Sequence, residues 1–134
     1  MRPTTSGSRV ATSTRPAATV ATRKRRGAET QHTVAAYLAA NGWPHATDAG
    51  AGRTGSDILG VPGLAVEVKA RREYSPLAWL RQAATGLGLP LCVHRPDGMG
   101  PSSVADWPVT LRLSDAVALL RAAGYGDPEE VPDV

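Results

Sequence analysis

GSDILGVPGLAVEVK, residues 55 to 69, is the stretch whose reading decides the fold of this chain. Its second half, Leu64-Ala65-Val66-Glu67-Val68-Lys69, alternates with a period of two. As a strand it turns Leu64, Val66 and Val68 to one face and Ala65, Glu67 and Lys69 to the other. The first half, Asp57 to Gly60, is a second strand-like run. Between them Val61-Pro62-Gly63 signals a turn, because Pro presets φ and the following Gly accepts a positive φ. A hairpin is therefore expected, with one carboxylate on its first strand and a carboxylate and an ammonium side by side on its second. A two-residue loop, Pro62-Gly63, sets Asp57 opposite Val68 and on the wrong face. A three-residue loop beginning at Val61 sets it opposite Glu67, with Cβ atoms on the order of 5 Å apart. The sequence leaves both registers open.

Working outward, Glu29 to Ala40 carries Val34, Ala35, Tyr37 and Leu38 at helical spacing and stops at Asn41-Gly42. Trp43 to Thr47 reads as a short strand, followed by a glycine-rich connection. Ser75-Pro76 reads as an N-cap and first-turn proline opening a helix through Leu77, Leu80 and Ala84 toward Gly86. Leu89 to His94 is a short apolar run, Val109 to Leu113 alternates as a half-buried strand, and Ser114 or Asp115 caps a last helix ending at Gly124. The expected order is α-β-β-β-α-β-β-α, an α/β fold with a mixed central sheet flanked by helices. Trp43, Trp79 and Trp107 read as packing residues.

The 134 residues suffice for one core. Seven cations and no acid fall in residues 1 to 26, which reads as a disordered basic arm. Residues 27 to 125 balance eight cations against eight acids and form the expected domain. Residues 126 to 134 add four acids and two prolines, an acidic tail. No apolar run is long enough for a membrane span and no secretory signal is recognisable, so a soluble, cytoplasmic protein is expected. The lone Cys92 excludes an internal disulfide, and the scattered His32, His45 and His94 have no zinc-ligand spacing. The arm suits a nucleic-acid partner through counterion release, and equally suits a targeting segment.

Should Asp57 and Glu67 face one another, they repel unless a proton or a cation lies between them. Their hard oxygens suit Mg²⁺ or Mn²⁺, which could bind a phosphate and acidify a water. Lys69 beside them can hold the attacking water or neutralise developing phosphate charge. Arg53, Arg71, Arg72 and Arg81 cluster in sequence around these residues, and guanidinium groups suit phosphate contacts.

Asp57 followed by Glu67-Val68-Lys69 resembles the signature of the PD-(D/E)XK nucleases. The resemblance runs from about Gly27 to Gly124, and GSDILGVPGLAVEVKARR is particularly similar to the small Holliday junction resolvase-like nucleases of bacterial viruses. It implies a restriction-endonuclease-like αβββαβ core and Mg²⁺-dependent hydrolysis of branched DNA by a homodimer. Asp57, Glu67 and Val68 are the positions it assigns to the metal. Asp57, Glu67, Lys69, Gln31 and Gln82 are assigned to catalysis, and Arg25, Arg26, Arg53, Arg71, Arg72 and Arg81 to DNA binding. Many such resolvases carry a glutamate on the first helix where this chain has Gln31, which shares a helix face with Val34, Ala35 and Leu38. Gln31 is either a residue that orients water or a plain polar helix residue; Gln82 likewise faces the site or solvent. A noncatalytic DNA-binding protein with a degenerate nuclease core, and a repair or restriction nuclease of the same fold, are the alternatives.

Overall fold

The alternating run does form a strand, β3 (Leu64–Lys69), but it is covered on both faces. In the computed structural model, which describes residues 20–50 and 55–127, the helix α1 (Val20–Ala40) packs over one face of β3. The helix α2 (Pro76–Ala83) packs over the other. The remaining elements are β1 (Thr47–Asp48), β2 (Ile58–Leu59), β4 (Leu89–His94), the 3₁₀ helix η1 (Pro101–Asp106), β5 (Val109–Thr110) and α3 (Leu113–Ala122). Parallel strands need a long crossover, and α2 supplies it between β3 and β4. β5 then joins β4 antiparallel, giving a mixed three-stranded sheet in the order β3-β4-β5. The class is mixed α/β.

Val66 and Val68 of β3, with Val93 of β4, meet Val34 and Ala35 of α1 together with Ile58, Val61 and Trp107 in the main core. Burying each such aliphatic side chain contributes about 1.5–3 kcal/mol. Trp79, Leu80 and Ala83 of α2 are buried at spacings of one helix face, against β3 and β4. Trp79 and Trp107 are thus packing residues, and Trp43 lies against the core.

α1 begins at Val20, well before the expected start at Glu29, so Arg23, Lys24, Arg25 and Arg26 form helical turns and not part of an arm. Arg and Lys are good helix formers although they show no apolar period. Tertiary contacts fix the extension: Arg26 reaches the carbonyl of Pro96 at 3.5 Å and the carboxylate of Asp97 at 3.6 Å. One turn further, the buried Arg95 donates to Glu29 at 2.7 Å and to Thr30 at 3.1 Å, and lies over the Trp107 ring. Residues 1–19 of the expected arm and 128–134 of the expected tail lie outside the described residues.

The expected hairpin forms its turn and not its ladder. The Leu64 amide donates to the Val61 carbonyl at 3.1 Å across Pro62 and Gly63, whose φ of +80° is what a type II turn requires at that position. β2, however, pairs with β1, placing Thr47 opposite Leu59 and Asp48 opposite Ile58. The turn leads away from β3 at Gly60, where the chain passes so close to the His45 carbonyl that a Cβ would collide with it. Neither sequence register therefore describes Asp57.

Other boundaries move for local reasons. β1 lies at residues 47–48 instead of 43–47, next to its β2 partner. Ser75 precedes α2 as expected but makes no side-chain cap, and the helix ends at Ala83, short of Gly86. There the lack of a side chain lets the backbone approach the Ala65 Cβ. η1 is unforeseen, a Pro-initiated turn without an apolar period. β5 is shorter than residues 109–113, and α3 starts at Leu113 behind Arg112, so neither Ser114 nor Asp115 is the cap. Asp115 instead pairs with Arg112 at 2.8 Å. No helix among the described residues is long and apolar enough to cross a membrane.

Candidate functional site

Asp57 sits where three segments meet. Its amide donates to the Val66 carbonyl of β3 at 2.9 Å, and its carbonyl accepts from the Ala49 amide at 2.8 Å. Its side chain accepts from the Val68 amide at 2.8 Å, so the carboxylate stands where a neighbouring strand would offer a carbonyl. These bonds fix the acid against the edge of β3, with no need for a continuous ladder.

Glu67 projects from the α2-facing side of β3, and its side chain is only 5% exposed. Burial, then the adjacent Asp57 charge, push its carboxyl above the ordinary value of 4.5 against the opposing pull of Lys69. Asp57 and Glu67 are within hydrogen-bonding reach of one another. The Lys69 ammonium lies 3.2 Å from Glu67 Oε1 and donates to Gln82 Oε1 at 2.9 Å. An ammonium has three N–H groups, so one donor remains beyond these two contacts.

Alternate carbonyls of a strand point to opposite edges. That of Lys69 accepts from the Arg95 amide beyond β4, whereas that of Val66 accepts from Asp57. The Val68 carbonyl, in phase with Val66, therefore points to the edge held by Asp57. Asp57, Glu67 and the Val68 main chain thus offer hard oxygens from one side, a donor set suited to Mg²⁺ or Mn²⁺ completed by water. Among the described residues no group of three His, Cys, Asp or Glu side chains stands together, so any such site has two carboxylates. Burial, and then the Asp57 charge, hold the Glu67 carboxyl high, and a divalent cation would offset both by stabilising the ionised form.

A cleft of about 550 Å³ opens over these groups, and Gln31, Asp57, Glu67, Val68, Lys69 and Gln82 all line it. The inward position read for Gln31 is the one it occupies, while Glu29 turns away to Arg95. Of the arginines nominated from sequence, Arg71 lines the cleft. Arg72 and Arg81 are exposed outside its lining, Arg72 lying 3.9 Å from Asp97. Arg25 is exposed, Arg26 is engaged with Asp97, and Arg53 lies outside the described residues. Sequence reasoning missed Val20, Arg23, Lys24 and Gly27, which form the α1 wall of the cleft. The signal was the spacing of Gln31 continued backward by four, seven, eight and eleven residues along one helix face.

Two other reactive side chains are structural. The Cys92 thiol, opposite Glu67 in the β3-β4 register, is pushed up to about 12 by burial and then by the Glu67 charge, so it is no thiolate nucleophile. His94 stacks beside Tyr74 and Trp79, and its Nε2 donates to the Arg71 carbonyl at 3.0 Å. No family model matches the chain, and neither does any curated protein or solved structure.

Proposed function

We propose that this chain is a metal-dependent endodeoxyribonuclease of the PD-(D/E)XK type with a restriction-endonuclease-like core. The convergence of Asp57, Glu67, Lys69 and Gln82 in one cleft carries the reading, since they come from three segments, the one before β2, β3 and α2, and share a chemistry suited to phosphodiesters. The order α1-β1-β2-β3-α2-β4 supports the αβββαβ assignment.

In this reading Asp57, Glu67 and the Val68 carbonyl hold Mg²⁺ or Mn²⁺, which supplies Lewis-acid stabilisation of phosphate charge and a more acidic water. Lys69, paired with Glu67 and aimed by Gln82, directs its remaining N–H at the phosphate or the attacking water. Gln82 has its amide nitrogen left to donate, and Gln31 adds a neutral amide to the opposite wall. Branched, Holliday-junction-like DNA is the proposed substrate, an intracellular compartment the proposed location and a homodimer the proposed working unit. The last is supported by α3, whose apolar residues Leu113, Val117 and Leu120 are exposed at spacings of four and three.

Purified protein incubated with labelled four-way junction, flap, duplex and single-stranded DNA should cleave at least one of them, and only with Mg²⁺ or Mn²⁺ present. Lys69→Ala should lower the rate about a hundredfold or more while metal binding persists. Failure of the wild type to cut any of the four, with both metals tried, would reject the nuclease reading. A noncatalytic DNA-binding role is favoured by one observation, the neutral Gln31 on a wall where a third acid would strengthen metal binding. Metal-independent binding without cleavage is its signature.

A further inference from the structure

The stripe of α1 that is apolar at Val34, Ala35 and Leu38 continues toward the N-terminus as Gln31, Gly27, Lys24, Arg23 and Val20. The same helix face that packs into the core thus runs past it and becomes the wall of the cleft over Asp57, Glu67 and Lys69. Its character changes from aliphatic to cationic along the way. At Gly27, midway, a Cβ would meet nothing within 4 Å, so this wall is open to an occupant.

Outside the cleft, Arg26 and Arg72 pair with Asp97 and Arg95 with Glu29, while Arg25 and Arg81 are exposed with no ion pair among the described residues. Inside it, Lys69 is engaged with Glu67. Arg23 and Lys24 form no ion pair among the described residues, although they line the same cleft as two carboxylates. With Lys69 and Arg71 they give the lining four cations against two acids, an excess that favours an anion even when both carboxylates are charged.

We propose that Arg23 and Lys24 are a phosphate clamp, holding the backbone of a DNA strand beside the phosphate that lies over Asp57, Glu67 and Lys69. The proposal rests on the nuclease reading and gives its cleft a substrate-binding subsite. An Arg fork and a Lys point charge one helical position apart suit adjacent oxygens of a phosphodiester backbone, which is recognised without regard to base. Being on a helix tied to the body by Arg26 and Arg95, the clamp is held in place before DNA arrives.

The test compares R23Q/K24Q with a charge-matched control, R112Q/R121Q, whose two arginines lie at the ends of α3, outside the cleft. Glutamine keeps helix propensity, and circular dichroism establishes that each variant is folded. Binding to fluorescent single-stranded and duplex DNA is measured in EDTA across a salt series, and cleavage with Mg²⁺ across DNA concentrations. R23Q/K24Q should lose about tenfold or more in affinity and show a salt dependence shallower by about one to two ions, with the control changed less than threefold. In cleavage it should raise KM about tenfold and leave kcat within a few-fold. Wild-type affinity and slope in R23Q/K24Q, or an equal loss in the control, overturns the clamp while leaving the nuclease reading intact. Wild-type protein that binds through Arg23 and Lys24 but never cleaves removes the nuclease reading and keeps the clamp. Absence of any DNA binding by the wild type rejects both.

Discussion

Glu67 is a carboxylate on a strand covered from both sides, beside a second carboxylate, and such a group destabilises a fold unless it is paired or serves a purpose. Lys69 offsets part of this, but the carboxyl still stays above its ordinary value. The sign of the pH effect follows. As pH rises through 4.5 the unfolded chain releases this proton before the folded one does, so stability falls from there up to the raised folded value. Above that value the whole penalty is present. Glu67→Gln removes the titration, and in EDTA it should melt at a higher temperature than wild type at pH 8, with the advantage shrinking toward pH 4. Millimolar Mg²⁺ should then raise the wild-type melting temperature more than that of the variant. A variant that melts no higher at pH 8 would contradict the burial argument, and equal Mg²⁺ shifts would contradict metal binding at Glu67.

At the scale of elements, the site depends on how the segment before β3 is bent. Pro62-Gly63 makes the turn that the sequence announces, but Gly60 decides where the preceding segment goes. Its φ of +76° and its contact with the His45 carbonyl allow β2 to lie on β1, and Asp57 is thereby left at the edge of β3. Gly60→Ala should cost on the order of 2 kcal/mol or more, read by urea denaturation, because it meets both strain and a backbone collision. Gly63→Ala meets only the strained φ with open space around it, and should cost less. Equal losses at the two glycines would show that the β1-β2 approach contributes little. The extension of α1 belongs to this scale too. The basic run is helical because Arg26 and Arg95 tie it to the loop after β4, a long-range cause that local periodicity does not report.

Across the whole molecule, α3 is set apart: it has no buried residue, and Leu113 is 79% exposed and Leu120 50%. An amphipathic helix with its apolar stripe in water is the expected mark of an interface, and a two-fold pairing buries the same stripe twice. If the proposed homodimer uses this face, V117E/L120E should convert dimer to monomer in sedimentation at micromolar concentration, with unchanged far-ultraviolet circular dichroism. A wild-type chain that sediments as a monomer at tens of micromolar would remove the dimer from the proposal.

The sequence by itself determined those features that depend on local chemistry. The two-residue alternation fixed the faces of β3, Pro62-Gly63 fixed the turn, Leu89–His94 was legible as an apolar run, and the helical wheel placed Gln31 inward. Only the tertiary structure decided what covers β3 on both sides, which strand β2 joins, and how far α1 extends toward the cleft. It also decided that Gln82 reaches Lys69 across a crossover, and that Arg23 and Lys24, distant in sequence from Glu67, share its cleft. Periodicity reports only the faces of a single element. Partners depend on contacts between residues far apart in the chain, and those are selected by the packing of the whole core.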